Sequence, residues 1–409
     1  MSSLRRVKIG YCNARVNEKP SYGPIILADD GEPMALVGTM NGGLVTIPLI
    51  FGSSKDYRDE YEVLSLTAGN TINLKEIFLD QEVSSSVIGI ENHKNTIIVS
   101  LLDGKIFNVG PKGNKLVVEF ESTLSAPPTL IGIGPQSFLL VPTTEGVLYL
   151  MDVNGKIISK IANTGKISSK PSFIVDNNSV LIGNSEGIVT CYDIGNKGVF
   201  AKKWQFKANK AITTEIIHSD LMSDGRIFYL FGSADKSIYC ITDEGIVAWS
   251  FPTEGKIISG VFIDDINNDG VKEVVFGSCD DKVYVLSAYG TEIWNYETDF
   301  WVAATPSVID VDEDNYKEVF VGSYDNSLYC FSPEADFIPH FFSGASGIVQ
   351  QSSSFEHGYT DASAGYFARK LFQEQLDGMI IGIYAHEKKK ILAALTNKGE
   401  FRSYQFEQL

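Results

Sequence analysis

Two short acidic loops carry the residues of this sequence that could do chemistry. Both place oxygen-bearing side chains at alternate positions, a glycine or asparagine at position six and a glutamate at position nine. Their candidate ligands are Asp265, Asn267, Asp269 and Glu273 in the first loop, and Asp310, Asp312, Asp314 and Glu318 in the second. Oxygens at alternate positions of a tight loop can converge on one point, and Ca²⁺ takes about six to eight hard oxygen donors. The spacing therefore predicts two calcium loops.

The loops are not EF-hands, because the closing acid of an EF-hand comes at position twelve. Five acids within nine residues of the second loop, the four candidate ligands and Glu313, repel one another unless a cation or solvent separates them. A purely structural alternative stays open, since Asp and Asn also close turns by bonding to their own backbone. A third loop, around 220–228, keeps the turn but has Met222 and Phe228 at two ligand positions. The turn can therefore form without a metal.

A repeated sequence motif, which we call the phrase, predicts the strands that must position these loops. Its clearest copies are GSADKSIYCI from Gly232, GSCDDKVYVL from Gly277 and GSYDNSLYCF from Gly322, and successive copies start 45 residues apart. Each copy joins two apolar alternating runs through a two-residue turn, as a β-hairpin does. A second hairpin follows each phrase, so one repeat predicts a four-stranded unit.

Five weaker copies extend the repeat over the whole chain. They start at Gly38, Ser100, Pro142, Gly183 and Leu395. Most steps between copies are 41 to 49 residues, but two steps are 62 and 73 residues. Four-stranded blades need about 40–45 residues each, and an isolated blade cannot bury both of its faces. We therefore predict an all-β chain, 1–409, that forms a single β-propeller of eight blades, with seven blades as the alternative.

The two long steps predict insertions at about 53–82 and 337–377. Within the second, Ala364–Leu376 has a modest apolar stripe and predicts a helix, so we expect this insertion to be partly helical or disordered. The N-terminal run Val7–Tyr11 is predicted to complete the last blade beside Phe401–Phe406. Such pairing would lock the two ends of the chain together.

Charge and hydropathy exclude several classes of partner. The 51 acidic residues outnumber the 34 basic ones, which gives a formal net charge of −17. A surface with this balance repels nucleic acid, whose binding rests on clustered Lys and Arg. No window approaches the length of apolar sequence that a transmembrane helix needs. A signal peptide has an apolar segment after its basic N-terminus, and no such segment follows the basic residues here. The sequence predicts a soluble, cytoplasmic protein.

The five cysteines agree with a reducing compartment. Cys191, Cys240 and Cys330 share one register in the returning strand of their repeats, where other copies have Val or Leu. We predict a small buried apolar slot that Cys fills as a hydrophobe. Cys12 and Cys279 are isolated, and no CxxC motif or Cys/His cluster suggests zinc. Free thiols are typical of the cytosol.

The stretch Val261–Phe331 resembles the repeats of two related groups of β-propellers. One is the FG-GAP (VCBS-type) group, with its Asp-x-Asn-x-Asp-Gly calcium loop. The other is the PQQ-like group, which includes quinoprotein dehydrogenases and the outer-membrane barrel-assembly lipoprotein. The first resemblance implies calcium, and the second implies a tryptophan near the end of each blade. Trp204, Trp249 and Trp294 fit that place, and we interpret them as packing between blades.

Three functions follow from these observations. We favour a non-catalytic propeller, stabilised by calcium, that acts as a protein-interaction scaffold or ligand-binding module. The first alternative is a quinoprotein-like oxidoreductase with PQQ in the central channel, but the sequence lacks the adjacent cysteine pair of those enzymes. The second alternative is a lectin-like binder of small ligands, which requires an aromatic-lined pocket. The five histidines are scattered, and no catalytic motif accompanies them.

Overall fold

The chain forms a ring of eight antiparallel sheets in the part that the computed structural model describes. That part comprises residues 7–28, 32–51, 55–56, 75–79, 85–93, 96–111, 113–133, 136–162, 164–195, 198–338 and 365–408. Within it, seven sheets have four strands and one has a short fifth strand. First strands of neighbouring sheets contact one another around much of the ring. The fold is an all-β, eight-bladed propeller, as predicted.

Blades one to four follow each other along the chain, and the strands of each blade run from the first, innermost strand outward. Blade one contains β2 (Pro20–Leu27), β3 (Met34–Thr39), β4 (Gly43–Pro48) and β6 (Lys75–Phe78). Blade two contains β7 (Val87–His93), β8 (Thr96–Leu101), β9 (Lys105–Gly110) and β10 (Gly113–Glu119). Blade three contains β11 (Thr129–Ile133), β12 (Gln136–Pro142), β13 (Leu148–Asp152) and β14 (Ile157–Ile161). Blade four contains β15 (Ser172–Ile174), β16 (Ser179–Gly183), β17 (Ile188–Ile194) and β18 (Phe200–Lys207).

Blades five to eight complete the ring. Blade five contains β19 (Ile217–Asp220), β20 (Ile227–Gly232), β21 (Ser237–Thr242) and β22 (Val247–Pro252). Blade six contains β23 (Val261–Asp264), β24 (Glu273–Gly277), β25 (Lys282–Leu286) and β26 (Glu292–Glu297). Blade seven contains β27 (Ser307–Ile309), β28 (Glu318–Gly322), β29 (Ser327–Ile338) and β30 (Gly365–Gln375). Blade eight contains β31 (Ile380–His386), a short 3₁₀ helix (Glu387–Lys389), β32 (Ile391–Thr396), β33 (Glu400–Gln408), β1 (Val7–Arg15) and β5 (Lys55–Asp56).

The ring is closed by a strand from each end of the chain. β1 pairs antiparallel with β33 over nine residues, from Val7 opposite Gln408 to Arg15 opposite Glu400. Blade eight therefore takes its first three strands from the C-terminal end of the chain and its fourth strand, β1, from the N-terminal end. The predicted pairing of Val7–Tyr11 with Phe401–Phe406 is confirmed.

The core is divided among the gaps between blades. Among the described residues, eight clusters of buried apolar side chains occur, one for each pair of neighbouring blades. Between blades five and six, for example, Leu230 and Ile238 pack with Phe276 and Tyr284. Each blade thus buries both of its faces against neighbours, which is why the repeat is stable only as a closed ring.

Each residue of the repeated phrase has a structural role. The phrase forms the turn between the second and third strands of every blade. In blade six, a Cβ added to Gly277 would lie 2.3 Å from Val302 Cγ1 and 2.4 Å from the Val302 carbonyl oxygen, so only glycine admits the next connection. Asp280 Oδ2 accepts hydrogen bonds from Tyr284 Oη and from the Glu254 N–H, both at 2.9 Å. The phrase is therefore a device for joining blades.

Blades five and seven repeat these bonds. Asp235 accepts from the Tyr239 hydroxyl at 2.8 Å, and Asp325 accepts from the Tyr329 hydroxyl at 2.6 Å. In both blades the same carboxylate oxygen also accepts a backbone N–H from the preceding connection. Burial, followed by the Asp235 carboxylate, raises the pKa of Tyr239 to about 12. The phenol therefore stays a hydrogen-bond donor at neutral pH.

One prediction of local structure is wrong. Residues 365–375 of the predicted helix Ala364–Leu376 form strand β30, which pairs with β29 and places Phe372 opposite Cys330. The apolar stripe of this segment fits either period, and the open edge of β29 selects the strand. The predicted insertion 337–377 therefore contributes the outer strand of blade seven, and 339–364 lies outside the described residues. In the predicted insertion 53–82, residues 55–56 and 75–78 are strands of blades eight and one.

A buried network of charged groups joins blades seven and eight. Arg402 on β33 donates from Nη1 to Glu374 Oε1 and from Nη2 to Glu400 Oε1, each at 2.6 Å. The hydroxyl of Tyr404 donates to the second oxygen of Glu374. Glu374 and Tyr404 are both buried. This network lies beside the seam that closes the ring.

The antiparallel order of strands gives the disc two distinct faces. Loops between first and second strands and between third and fourth strands lie at one end of each blade. Turns between second and third strands lie at the other end, together with the connections between blades. We call these the loop face and the hairpin face. The two predicted calcium loops lie on the loop face.

Candidate metal centre and exposed surfaces

The acidic loops of blades six and seven join β23 to β24 and β27 to β28. Position six has a positive φ in both, 87° at Gly270 and 71° at Asn315, as its residue type predicts. Asp265 at position one accepts from the N–H groups of Asp269 and Gly270. Asp310 does the same for Asn315, at 3.2 Å. The first acid of each loop thus builds the turn.

In blade six an amide stands among the carboxylates. Asn267 Nδ2 donates to Asp269 Oδ2 at 3.1 Å and to Glu273 Oε1 at 3.4 Å. Asn267 Oδ1 accepts from the Asp269 N–H at 3.0 Å. The amide therefore satisfies two acidic side chains of its own loop. In this conformation the blade-six loop is held by internal hydrogen bonds.

In blade seven the corresponding position is a carboxylate. Asp310, Asp312 and Asp314 each direct an oxygen into one place, and these oxygens lie within 4.8 Å of one another. Within the described residues, no other set of three or more acidic, histidine or cysteine side chains converges in this way. Asp310 Oδ1 is buried and has no hydrogen-bond partner. Three converging carboxylates, one of which has an oxygen without a hydrogen-bond partner, form the donor set that a hard cation requires.

The glutamate at position nine closes each loop. Glu318 Oε2 accepts from the Val311 N–H at 3.0 Å, and Glu273 Oε2 accepts from the Ile266 N–H at 3.1 Å. Burial raises the pKa of Glu273 to about 7, and the Asp269 and Asp265 carboxylates add to the shift. Burial also raises the pKa of Glu318 well above its usual range. Each glutamate thus fixes its loop by accepting a backbone N–H of that loop through Oε2.

The same turn forms in blade five without the ligand set. Asp220 accepts from the N–H groups of Asp224 and Gly225, as Asp265 does one blade later. Consecutive loops are also linked, because the Lys272 N–H donates to Leu221 O at 2.9 Å. A corresponding bond joins blades six and seven. The turn is therefore a property of the fold, and only its charge pattern distinguishes blade seven.

The hairpin face carries a feature that sequence reasoning missed. Phe300 and Trp301, in the connection between blades six and seven, stack with ring centroids 5.4 Å apart and an interplanar angle of 22°. Their exposed fractions are 45% and 37%. The missed signal is the side-by-side pair of aromatics in a connection whose counterparts in the neighbouring blades are Gly255–Lys256 and Lys210–Ala211.

Five carboxylates lie in the hairpins and the connection that flank this aromatic pair, those of Asp280, Asp281, Glu297, Asp299 and Asp325. One of them has a cationic neighbour, because Lys282 Nζ lies 3.9 Å from Glu297 Oε2. The Asp299 N–H donates to Asp325 at 3.1 Å, which fixes the connection against the next blade. Burial, and then the charges of Asp280, Glu297 and Asp325, raise the pKa of Asp281. We call these five acids with Phe300 and Trp301 the acidic aromatic patch.

The tryptophans and cysteines lie where the sequence placed them. Indole Nε1 of Trp204, Trp249 and Trp294 donates to a backbone carbonyl of the next blade. Their packing between blades is confirmed. Cys191, Cys240 and Cys330 are buried, and all five cysteines are free thiols. Burial raises the pKa of Cys191 to about 11 and of Cys240 to about 12.

Comparison with known protein families finds one match. Residues 240–344 match the family described as the lambda-carrageenase β-propeller domain. The matched stretch runs from the end of β21 in blade five through blade six and includes the first three strands of blade seven, where the sequence repeat is clearest. A search of curated proteins finds no match. No helix in the described part of the chain is long and apolar enough to span a membrane.

Solved structures with the same fold are distant in sequence. BamB from Moraxella catarrhalis is 13% identical, with a TM-score of 0.59 over 98% of this chain and 100% of that chain. The computationally designed Ika8 protein is 15% identical, with a TM-score of 0.60 over 96% of this chain and 98% of that chain. These two structures share the β-propeller fold with this chain. The PQQ-like and FG-GAP assignments stay predictions.

Proposed function

We propose that this protein is a non-catalytic binding module that docks a protein partner on the acidic aromatic patch. The observation that carries the proposal is the exposed Phe300–Trp301 stack among five carboxylates. Large aromatics in such settings are the side chains that dominate binding energy at protein interfaces. The closed ring holds the stack in place, so little freedom is lost on binding. The partner chemistry that fits is an apolar recess rimmed by Lys and Arg.

We further propose that a calcium ion stabilises blade seven on the loop face, opposite the face that carries this patch. Asp310, Asp312 and Asp314 would hold the ion. Glu318 would support the loop by accepting the Val311 N–H. The positive charge of the ion would offset the carboxylates of blade seven. In blade six the Asn267 amide takes that role by donating hydrogen bonds to the acids of its loop. The proposed role belongs to the cytoplasm, which the five free thiols support.

Substitution of both aromatic residues of the acidic aromatic patch is expected to abolish binding of the partner. Phe300 and Trp301 are replaced together by serine, and the immobilised variant is compared with wild type for proteins captured from a lysate of the source organism. We expect at least a tenfold loss of specific partners, because the loss of a hot-spot residue commonly costs about 2 kcal/mol or more. Capture by wild type is expected to weaken at high salt, since the rim is charged.

The control carries Val175→Ser and Ile246→Ser, two exposed apolar residues on the loop face (69% and 59% exposed). It is expected to capture the same proteins as wild type. An identical set of captured proteins for the patch variant would place the binding surface elsewhere and refute the proposal.

Calcium binding is tested by exchanging the residues that differ between the two loops. In calorimetric titration, Asp312→Asn is expected to weaken calcium binding at least tenfold, because one of three converging carboxylates is removed. The same variant is expected to be more heat-stable than wild type in EDTA, since carboxylate repulsion is relieved. Asn267→Asp is the matched variant and is expected to strengthen binding in blade six.

The wild-type melting temperature is expected to rise with calcium concentration, as for any ligand that binds only the folded state. A wild type that releases no heat and keeps its melting temperature at millimolar calcium would contradict the proposed ion. Partner capture by the patch would be unaffected by that result.

A further inference from the structure

A cleft on the loop face, between blades five and six, combines aromatic rings with charged groups. Its volume is about 520 Å³. Small-ligand sites usually enclose about 300–1,000 Å³. Its lining includes the side chains of Arg226, Phe228, Asp243, Trp249 and Tyr289. The cleft is separate from the calcium loop of blade seven and lies on the opposite face from the acidic aromatic patch.

The aromatic wall is a departure from the repeat. The indole bonds of Trp204, Trp249 and Trp294 end on equivalent carbonyls, those of Asp243, Ala288 and Pro333. The next residue is Glu244 in blade five, Tyr289 in blade six and Glu334 in blade seven. Tyr289 is 65% exposed, so packing does not require its ring. Of these three blades, two have a charged residue at this position, and the aromatic one lies beside the cleft.

Among the polar groups of the cleft, Arg226 is held in place by hydrogen bonds, and both Arg226 and Asp243 have atoms that can still form hydrogen bonds to a ligand. Arg226 donates from Nε and Nη2 to Asp224 Oδ2 and lies over the Phe228 ring, with Cζ 5.9 Å from the centroid. Its Nη1 forms no hydrogen bond to the described residues. No described residue hydrogen-bonds the Asp243 carboxylate either, although its backbone carbonyl accepts the Trp204 indole. A donor and an acceptor therefore flank an exposed ring.

We propose that this cleft binds a neutral pyranose unit of a glycan. A pyranose has C–H groups on its faces, which stack on an aromatic ring, and hydroxyls on its edge. The Tyr289 ring would take the C–H face, while the Asp243 carboxylate and Arg226 Nη1 would bond hydroxyls as charge-assisted partners. Neighbouring acids and the net charge of −17 disfavour an anionic sugar. This role goes beyond protein docking and does not depend on it.

Affinity electrophoresis of the full chain tests this inference. Native gels contain a neutral polysaccharide, with xyloglucan, galactomannan, laminarin or hydroxyethylcellulose as the probes. We expect retardation in at least one gel, and Tyr289→Glu is expected to weaken it about tenfold or more. That variant uses the residue that blades five and seven already have, so its fold is expected to be intact.

Two further variants make the result specific. Tyr289→Phe keeps the ring and is expected to retain binding within about threefold. Val175→Glu introduces the same charge at an exposed apolar position of the loop face in blade four, outside the cleft, and is expected to bind like wild type. No retardation of wild type in any of the four gels would overturn the proposal, as would equal retardation of wild type and Tyr289→Glu. Neither outcome bears on partner capture or calcium binding, which use other residues.

Discussion

Replacing Glu374 with alanine is expected to lower the free energy of unfolding by about 3–5 kcal/mol. The substitution leaves the Arg402 guanidinium between blades seven and eight with only Glu400 to balance it, and it removes the acceptor of the Tyr404 hydroxyl. A buried charge without its partner is costly because water cannot reach it. The measurement is urea denaturation, followed by tryptophan fluorescence.

The matched control is Glu297→Ala, whose carboxylate is exposed and lies 3.9 Å from Lys282 Nζ. It is expected to change stability by less than about 1 kcal/mol. The triple variant Glu374→Leu/Arg402→Met/Tyr404→Phe replaces the two charges and the hydroxyl that meet at this joint by apolar groups, while Glu400 keeps the Asp377 N–H as a donor, and it is expected to recover much of the loss. A Glu374→Ala protein as stable as wild type would show that the network contributes little to the joint between these blades.

Gly277→Ala is expected to destabilise the protein by about 1–3 kcal/mol, at the upper end of that range. The new methyl would meet both the side chain and the backbone carbonyl of Val302 at less than 2.5 Å. Because the carbonyl belongs to the backbone of the next connection, relief requires blades six and seven to move apart. The transition in urea measures the loss, and calorimetry gives the accompanying fall in melting temperature.

Gly132→Ala is the control for this substitution. A Cβ at Gly132 in β11 would have no atom within 4 Å, so we expect a change within about 0.5 kcal/mol. If both alanine variants had the melting temperature of wild type, Gly277 would not be needed for the close approach of neighbouring blades.

The phrase could be predicted from sequence because every blade uses it for the same contact. Gly277 contacts the following connection, Asp280 accepts from the preceding one, and Tyr284 donates to the Asp280 carboxylate, so their spacing survives wherever blades join. The blade count, the cysteine slots and the pairing of both chain ends followed from that spacing. The segment Ala364–Leu376 failed because its apolar residues suit a helix and a strand equally. The unpaired edge of β29, which is a tertiary feature, decides between them.

The candidate sites depended on geometry that spacing does not contain. Both acidic loops have the ligand pattern in sequence, but the Asn267 amide bonds to the acids of blade six whereas blade seven has Asp312 in that place. The acidic aromatic patch draws its residues from two hairpins and one connection, which the fold brings together. Tyr289 differs from its equivalents in the two adjacent repeats only in residue type, and its meaning appears once Trp249 and Phe228 are seen beside it.

The seam between β1 and β33 also determines when the ring can form. Val7 is synthesised long before Gln408, yet the two lie opposite each other in one ladder. Until β33 is synthesised, β1 lacks its partner, and the flanks of blades one and seven are without blade eight. Closure is therefore a late step that follows synthesis of all eight blades, and its rate depends on how quickly two distant segments meet. An emerging chain presents unpaired strand edges throughout that interval, which is when association with other chains is most favoured.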